Sequence, residues 1–148
     1  MKNKVSIGAD HGGFFLKNAI SESLKSEGFE VFDKGTFSTD SVDYPDYAKA
    51  VCDSINSGES EFGILVCTTG IGMSIAANKI KGIRAALVLN ADAAKFSRLH
   101  NNANVICLGQ KNTSLNDALN FVKIFAETDF EGGRHERRVL KFSEFENC

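Results

Sequence analysis

The fold is decided by residues 62–77, FGILVCTTGIGMSIAA, running from Phe62 to Ala77. The apolar run of residues 62–66 has the length of one buried parallel strand, and it stops at Cys67. Thr68, Thr69, Gly70, Ile71 and Gly72 follow as a turn, and the spacing predicts a helix from Ser74 through Lys79. A strand, a Gly-rich turn and a helix N-terminus make an anion site, because the first N–H groups of a helix lack partners and its dipole is positive there. Cys67 stands at the carboxyl end of the strand, where open α/β sheets bind their ligands. A base facing a ring of N–H donors is the arrangement that chemistry on a developing oxyanion requires.

Two blander readings stand beside this one. Cys67 also fits a buried structural cysteine, as most free cysteines are. Gly70-x-Gly72-x-x-Ala76 fits a dinucleotide-binding fingerprint, with Asp92 about 20 residues beyond. That match is weak. Its strand is the third rather than the first, and Asp92 lies beyond the next strand at a helix start. A nicotinamide enzyme would also need a second domain, for which 148 residues leave no room.

Working outward, strands alternate with helices along the whole chain. Residues 5–9 read as a first strand, closed by Asp10-His11-Gly12-Gly13, a second Gly-rich turn. A helix over 14–27 puts Leu16, Ile20 and Leu24 on one face, with Gly28 as its C′ residue. A strand over 30–34 leads through a polar loop to Asp43-Tyr44-Pro45, where proline suits the first turn of a helix with Ala48, Val51, Cys52 and Ile55 inward. After the central unit come a strand over 84–89, a helix over 92–100, a strand over 104–108 and a helix over 114–127 with Leu115, Leu119, Val122 and Phe125 or Ala126 inward. A basic helical tail follows Gly132-Gly133. The alternation predicts a three-layer α/β/α Rossmann-like fold with a five-stranded parallel sheet. If the first and third strands are neighbours, both Gly-rich turns flank one switch-point crevice.

Composition bounds the class. The length fits a single domain, 1–148, and 43% apolar with 24% charged residues is ordinary for a soluble globular chain. A net charge of −2 gives no reason to expect nucleic acid or an anionic membrane as partner. No apolar run approaches membrane-spanning length, and the N-terminus has no signal-peptide core. Cys52, Cys67, Cys107 and Cys148 have neither metal-ligand spacing nor a disulfide framework, which predicts no metal and a cytoplasmic protein with reduced thiols.

Several residues carry chemistry or can be read more simply. Asp10 suits a helix cap and His11 a surface turn, or together they bind a sugar hydroxyl and an anion. Arg134 and Arg138, four apart on one helix face, either clamp a phosphate or form a solvated basic face. His100 at a helix C-terminus fits a simple answer to the dipole. The simple readings do not account for five unusual features in one chain: DHGG, DYP, CTTGIG, HNN and GGRHERR.

Taken as a set, these stretches resemble the type B ribose-5-phosphate isomerases. The resemblance rests on Asp10-His11-Gly12-Gly13, Asp43-Tyr44-Pro45, residues 67–72 with Ala76-Ala77-Asn78-Lys79, Gly82-Ile83-Arg84-Ala85, residues 97–101 and Gly132-Gly133-Arg134-His135. It runs from the first strand to the basic tail in one order. The wider family includes allose-6-phosphate isomerases and the subunits of galactose-6-phosphate isomerase.

The resemblance implies an aldose–ketose isomerase of the pentose phosphate pathway that needs no cofactor. It makes Cys67 the base that moves a proton between C1 and C2, and His100 the acid/base that opens the furanose ring. It places Thr69 and the backbone of Gly70, Ile71, Gly72, Met73 and Ser74 around the enediolate, with Asp10, Tyr44 and Asn101 on the sugar. His11, Arg134 and Arg138 match the phosphate site. Some relatives use a glutamate early in the central helix as base; Met73 stands there and takes no proton. Thr68 replaces a usual glycine, and Lys111 replaces a common arginine, losing the bidentate fork. Both bear on substrate contacts rather than on the reaction class.

Isomerisation of a hexose 6-phosphate, a nucleotide-binding regulatory module and a noncatalytic sugar-phosphate sensor are the alternatives. Neither of the last two needs a thiol at residue 67. Finally, His100 ends a helix that runs back against the strands, and a ten-residue helix is roughly 15 Å long, so one chain separates His100 from Cys67. This predicts a homodimer or tetramer whose active site is shared between subunits.

Overall fold

The computed structural model describes residues 2–147. In chain order the elements are β1 Lys4–Ala9, α1 Phe14–Ser26, β2 Glu30–Asp33, α2 Tyr44–Asn56, β3 Phe62–Cys67, α3 Ile71–Ala77, β4 Ala85–Leu87, α4 Ala91–Leu99, β5 Val105–Gly109, α5 Leu115–Glu127 and α6 Arg134–Phe145. The five strands form one parallel sheet in the order β2-β1-β3-β5-β4. Chain progression therefore reverses between β1 and β3, so the expected switch point lies between these two neighbours.

Alternation along the strands explains the three layers. In β3, Phe62, Ile64 and Val66 face the core shared with Leu16, Ile20 and Leu24 of α1 and Phe121, Val122 and Phe125 of α5. Leu65 and Cys67 face the other side, against Ala48, Val51 and Cys52 of α2 and Met73 and Ala77 of α3. With side chains alternating at period two, one strand buried on both faces reads as an unbroken apolar run. Cys52, Cys67 and Cys107 are free thiols on the second side; Cys148 lies outside the described residues.

Three local expectations are corrected. The central helix begins at Ile71, not Ser74, because Gly70 takes φ 81°, a left-handed conformation natural to glycine, and completes the turn early. The fourth strand is three residues long, since β4 is a sheet edge that pairs with β5 alone, and Leu89 beyond it is exposed. Leu115 is exposed rather than inward: the buried stripe of α5 is Ala118, Phe121, Val122, Phe125 and Ala126, and the first turn overhangs the sheet.

The tail helix α6 stands off the body. Among its described residues His135 is buried, whereas Leu140, Phe142 and Phe145 are exposed. Its end is tied to the α3–β4 turn by the Gly82 N–H, which donates to Glu146 Oε1 at 2.9 Å. Between α6 and the β4 edge lies a groove of about 900 Å³ lined by Ile80, Ile83, Leu87, Phe96, Phe142 and Phe145 among others. Among the described residues no helix is long and apolar enough to cross a membrane.

Candidate active site

Two Gly-rich turns meet at the carboxyl ends of β1 and β3. In the first, the Gly12 N–H donates to Asp10 Oδ1 at 2.9 Å, which fixes a nearly buried carboxylate inside its own turn. Thr68 Oγ1 fills the space where a side chain on Gly12 would stand, so the two turns are in direct contact. His11 Nδ1 accepts the Val42 N–H at 3.2 Å. That bond assigns the remaining proton of a neutral ring to Nε2.

In the second turn, Cys67 is 5% exposed and its Sγ accepts the Gly70 N–H at 3.1 Å. Thr69 Oγ1 accepts the Ile71 N–H at 3.3 Å. Gly72 and Met73 follow in the first turn of α3, where a helix offers its own N–H groups no carbonyl. Ser74 donates its hydroxyl to the Ile71 carbonyl at 2.7 Å. The Met73 side chain is fully buried in the core under α2, which leaves only its backbone beside the turn. Tyr44, the first residue of α2, lies across Gly72 so closely that a Cβ there would come within 2.8 Å of its ring.

The β5–α5 loop closes the crevice. Gln110 and Lys111 donate their backbone N–H groups to the carbonyls of Cys67 and Thr68 at 2.9 and 3.0 Å. The loop leading to Tyr44 is anchored by Lys17, a residue the sequence reading passed over. Its fully buried ammonium bonds both oxygens of Asp33 at 3.0 Å and the Thr36 carbonyl at 2.8 Å.

Cys52 and Cys107, the other thiols among the described residues, have no such setting. Burial pushes Cys52 up to about 12 and raises Cys107 further, so both behave as small core hydrophobes.

Asp10, His11, Tyr44, Cys67, Thr68, Thr69, the first turn of α3 and the backbone of Lys111 thus share one edge of the sheet. His100, Asn101, Arg134 and Arg138 do not join them. His100 caps α4, and the turn after it brings the Asn104 carbonyl onto the Gly63 N–H at 2.9 Å, at the amino end of β3. Cys67 is at the other end of that strand.

Around His100 the structure assembles a group of its own. Its ring stacks on His135 with centroids 4.2 Å apart and planes 13° from parallel, and packs on Phe96 from 4.9 Å. Glu131 Oε2 lies 3.8 Å from His100 Nε2 and 3.7 Å from His135 Nε2. Burial, the neighbouring His100 and the Arg134 guanidinium hold His135 below the usual imidazole range, with Glu131 opposing them. Asn101, Arg134 and Arg138 are exposed nearby on α6 and the post-α4 turn. Glu131 and His135 are absent from the expected site. The signal for them was present as an i, i+4 pair flanking Gly132-Gly133, but its meeting with His100 depends on tertiary packing.

A family model described as Ribose/Galactose Isomerase matches residues 5–142. The chain belongs to the ribose/galactose isomerase family. The chain is 45% identical over 136 residues to ribose-5-phosphate isomerase B of Escherichia coli strain K12, covering 92% of this chain and 91% of that protein. Among solved structures it is similar to Clostridium thermocellum ribose-5-phosphate isomerase B, with a TM-score of 0.95, 48% identity and 97% of each chain covered. The Mycoplasma genitalium ribose-5-phosphate isomerase B, solved with bound ribulose-5-phosphate, superposes with a TM-score of 0.92 at 42% identity, covering 97% of this chain and 96% of that one. The family match and these relatives agree with the α/β architecture and place the chain among sugar-phosphate isomerases.

Proposed function

We propose that this chain interconverts ribose 5-phosphate and ribulose 5-phosphate, with Cys67 as the base. The observation that carries the proposal is the Gly70 N–H bonded to Cys67 Sγ at the mouth of α3. His100 protonates the ring oxygen as O1 loses its proton, opening the furanose. The Cys67 thiolate then removes the proton on C2, and the electron pair moves through C1 onto O1 as an enediolate. Donors at the first turn of α3, with Thr69, face that oxygen and oppose its charge. The proton returns from sulfur to C1 while the O2 proton passes to O1, leaving the ketose. No step calls for a metal or organic cofactor.

Asp10, Tyr44 and Asn101 hold the sugar hydroxyls, and Thr68 and Lys111 border them. His11 beside Cys67, with Arg134 and Arg138 beside His100, bind the phosphate. Because one chain keeps Cys67 and His100 at opposite ends of β3, we read the enzyme as a homodimer in which each site takes Cys67 from one subunit and His100 from the other. The apolar groove and the uncovered Leu140, Phe142 and Phe145 support a second copy as what covers α6. We also read the chain as one domain, since a single sheet takes strands from Lys4 to Gly109. Its free thiols fit the reducing cytoplasm.

The test is a coupled assay over the 5-phosphate of ribose and the 6-phosphates of allose and galactose. Highest kcat/KM with ribose 5-phosphate supports the proposal. Preference for a hexose phosphate moves the chain to the hexose branch, and tight phosphate binding without turnover of any of them refutes catalysis.

A further inference from the structure

We propose that His100, Glu131 and His135 form a site for a divalent transition-metal ion of the zinc class, and that filling it stops the isomerase. The three donors come from the end of α4, the loop after α5 and the first turn of α6. Glu131 Oε2 stands 3.8 and 3.7 Å from the two Nε2 atoms, and all three lie within 4.8 Å of one another. A metal with ligand bonds of about 2.0–2.2 Å holds its donors roughly 3.3–3.7 Å apart. The two carboxylate edges already have almost that length, and Glu131 is exposed enough to follow an ion.

His135 supplies a second and independent observation. Its side chain is 7% exposed, and its Nε2 is a buried side-chain atom without a hydrogen-bond partner among the described residues. Buried polar atoms are seldom left so, and a bound ion is one of the partners that resolves such a case. Glu131, at 3.7 Å, lies beyond hydrogen-bond reach.

The neighbours also select the kind of ion. Arg134 and Arg138 repel any cation, so a hard ion held by charge alone, such as Mg²⁺ or Ca²⁺, is disfavoured; those ions also take oxygen ligands. Two imidazoles and one carboxylate suit Zn²⁺ and its transition-metal neighbours, which form coordinate bonds to nitrogen. A metal lies near the plane of each ring that binds it, whereas the two rings here are stacked. Binding therefore turns the half-exposed His100 ring out of the stack. With Nε2 bound to the ion, His100 carries no proton there to give the ring oxygen, so the inhibition, unlike the binding, rests on the function proposed above.

Enzyme stripped with EDTA and dialysed should keep its full activity. Zn²⁺ is then titrated into it by calorimetry, and Co²⁺ is added separately as a spectroscopic probe, since its visible bands report coordination without turnover. One ion per chain is expected, with activity falling as occupancy rises and returning on EDTA. His135→Phe, which preserves the ring stack, and Glu131→Gln should each weaken Zn²⁺ binding by at least the roughly 10-fold that loss of an outer-shell partner costs. Cys67→Ala should bind Zn²⁺ as the wild type does. Absence of stoichiometric binding, equal binding by both ligand variants, or loss of binding in Cys67→Ala overturns the site; the last assigns the ion to the thiol. Stoichiometric binding with undiminished turnover overturns the switch, and points to His100's part in the reaction rather than to the ligands.

Discussion

Two inactive variants, Cys67→Ala and His100→Ala, should restore activity when mixed and allowed to exchange subunits. This outcome follows from the shared site proposed above. The turn after His100 bonds Gly63 at the amino end of β3, and Cys67 ends the same strand four residues later. Four residues of strand span about 13 Å. Base and acid must each come within about 3 Å of adjacent atoms of one sugar. The dimer proposed above meets that requirement, with each chain giving Cys67 to one site and His100 to the other. Random exchange makes about half the dimers hybrid, and each hybrid has one doubly mutated site and one intact site, so about a quarter of wild-type activity returns. Removing either group alone should cost about 10²–10⁴-fold, which leaves a background of about 1% or less against that quarter. The assay is the ribose 5-phosphate rate after mild dissociation and reassociation, with exchange verified by native mass spectrometry of one tagged variant. Verified exchange with activity no higher than the separate variants refutes the shared site and returns His100 to its own chain.

Arg134→Ala and Arg138→Ala should each lose a charge-assisted bond worth about 1.5–3 kcal/mol, seen mainly as a higher KM for the phosphate ester; unchanged KM in both would make the tail a solvated basic face. Gly70→Ala should destabilise the chain by about 1–2 kcal/mol from its left-handed backbone, before counting a Cβ 2.8 Å from Leu87 and 3.0 Å from the Leu108 backbone; an unchanged denaturation midpoint would contradict the turn geometry. His135 is held below its ordinary value of 6.5 in the folded chain, so the unfolded chain binds its proton first as pH falls. Stability should therefore decline as pH drops through about 6.5 toward the depressed folded value. His135→Phe should flatten that part of the thermal midpoint–pH curve, and an identical slope in the variant would remove His135 as its source.

What the sequence by itself determined follows from local periodicity and backbone chemistry. Strand and helix alternate because short apolar runs take turns with apolar residues at helical spacing, and Gly28, Gly58 and Pro45 mark helix ends through their own φ preferences. Cys67 at a strand end before a Gly-rich turn was legible for the same reason, as was its pairing with the Asp10 turn once β1 and β3 were taken as neighbours. Local signals were weaker wherever packing chose between options. Glycine at residue 70 permits a turn but does not say that α3 starts at Ile71, and the apolar Leu115 has the right spacing for a core it does not reach. Only the tertiary structure buried Lys17 under Phe14 and Phe37 to hold the loop before Tyr44, and turned the Met73 side chain into the core. Only it brought Glu131 and His135 to His100. Those residues are separated by some thirty positions of helix and loop, and their meeting depends on α5 returning α6 to the end of α4, a long-range contact that no residue's own propensity encodes.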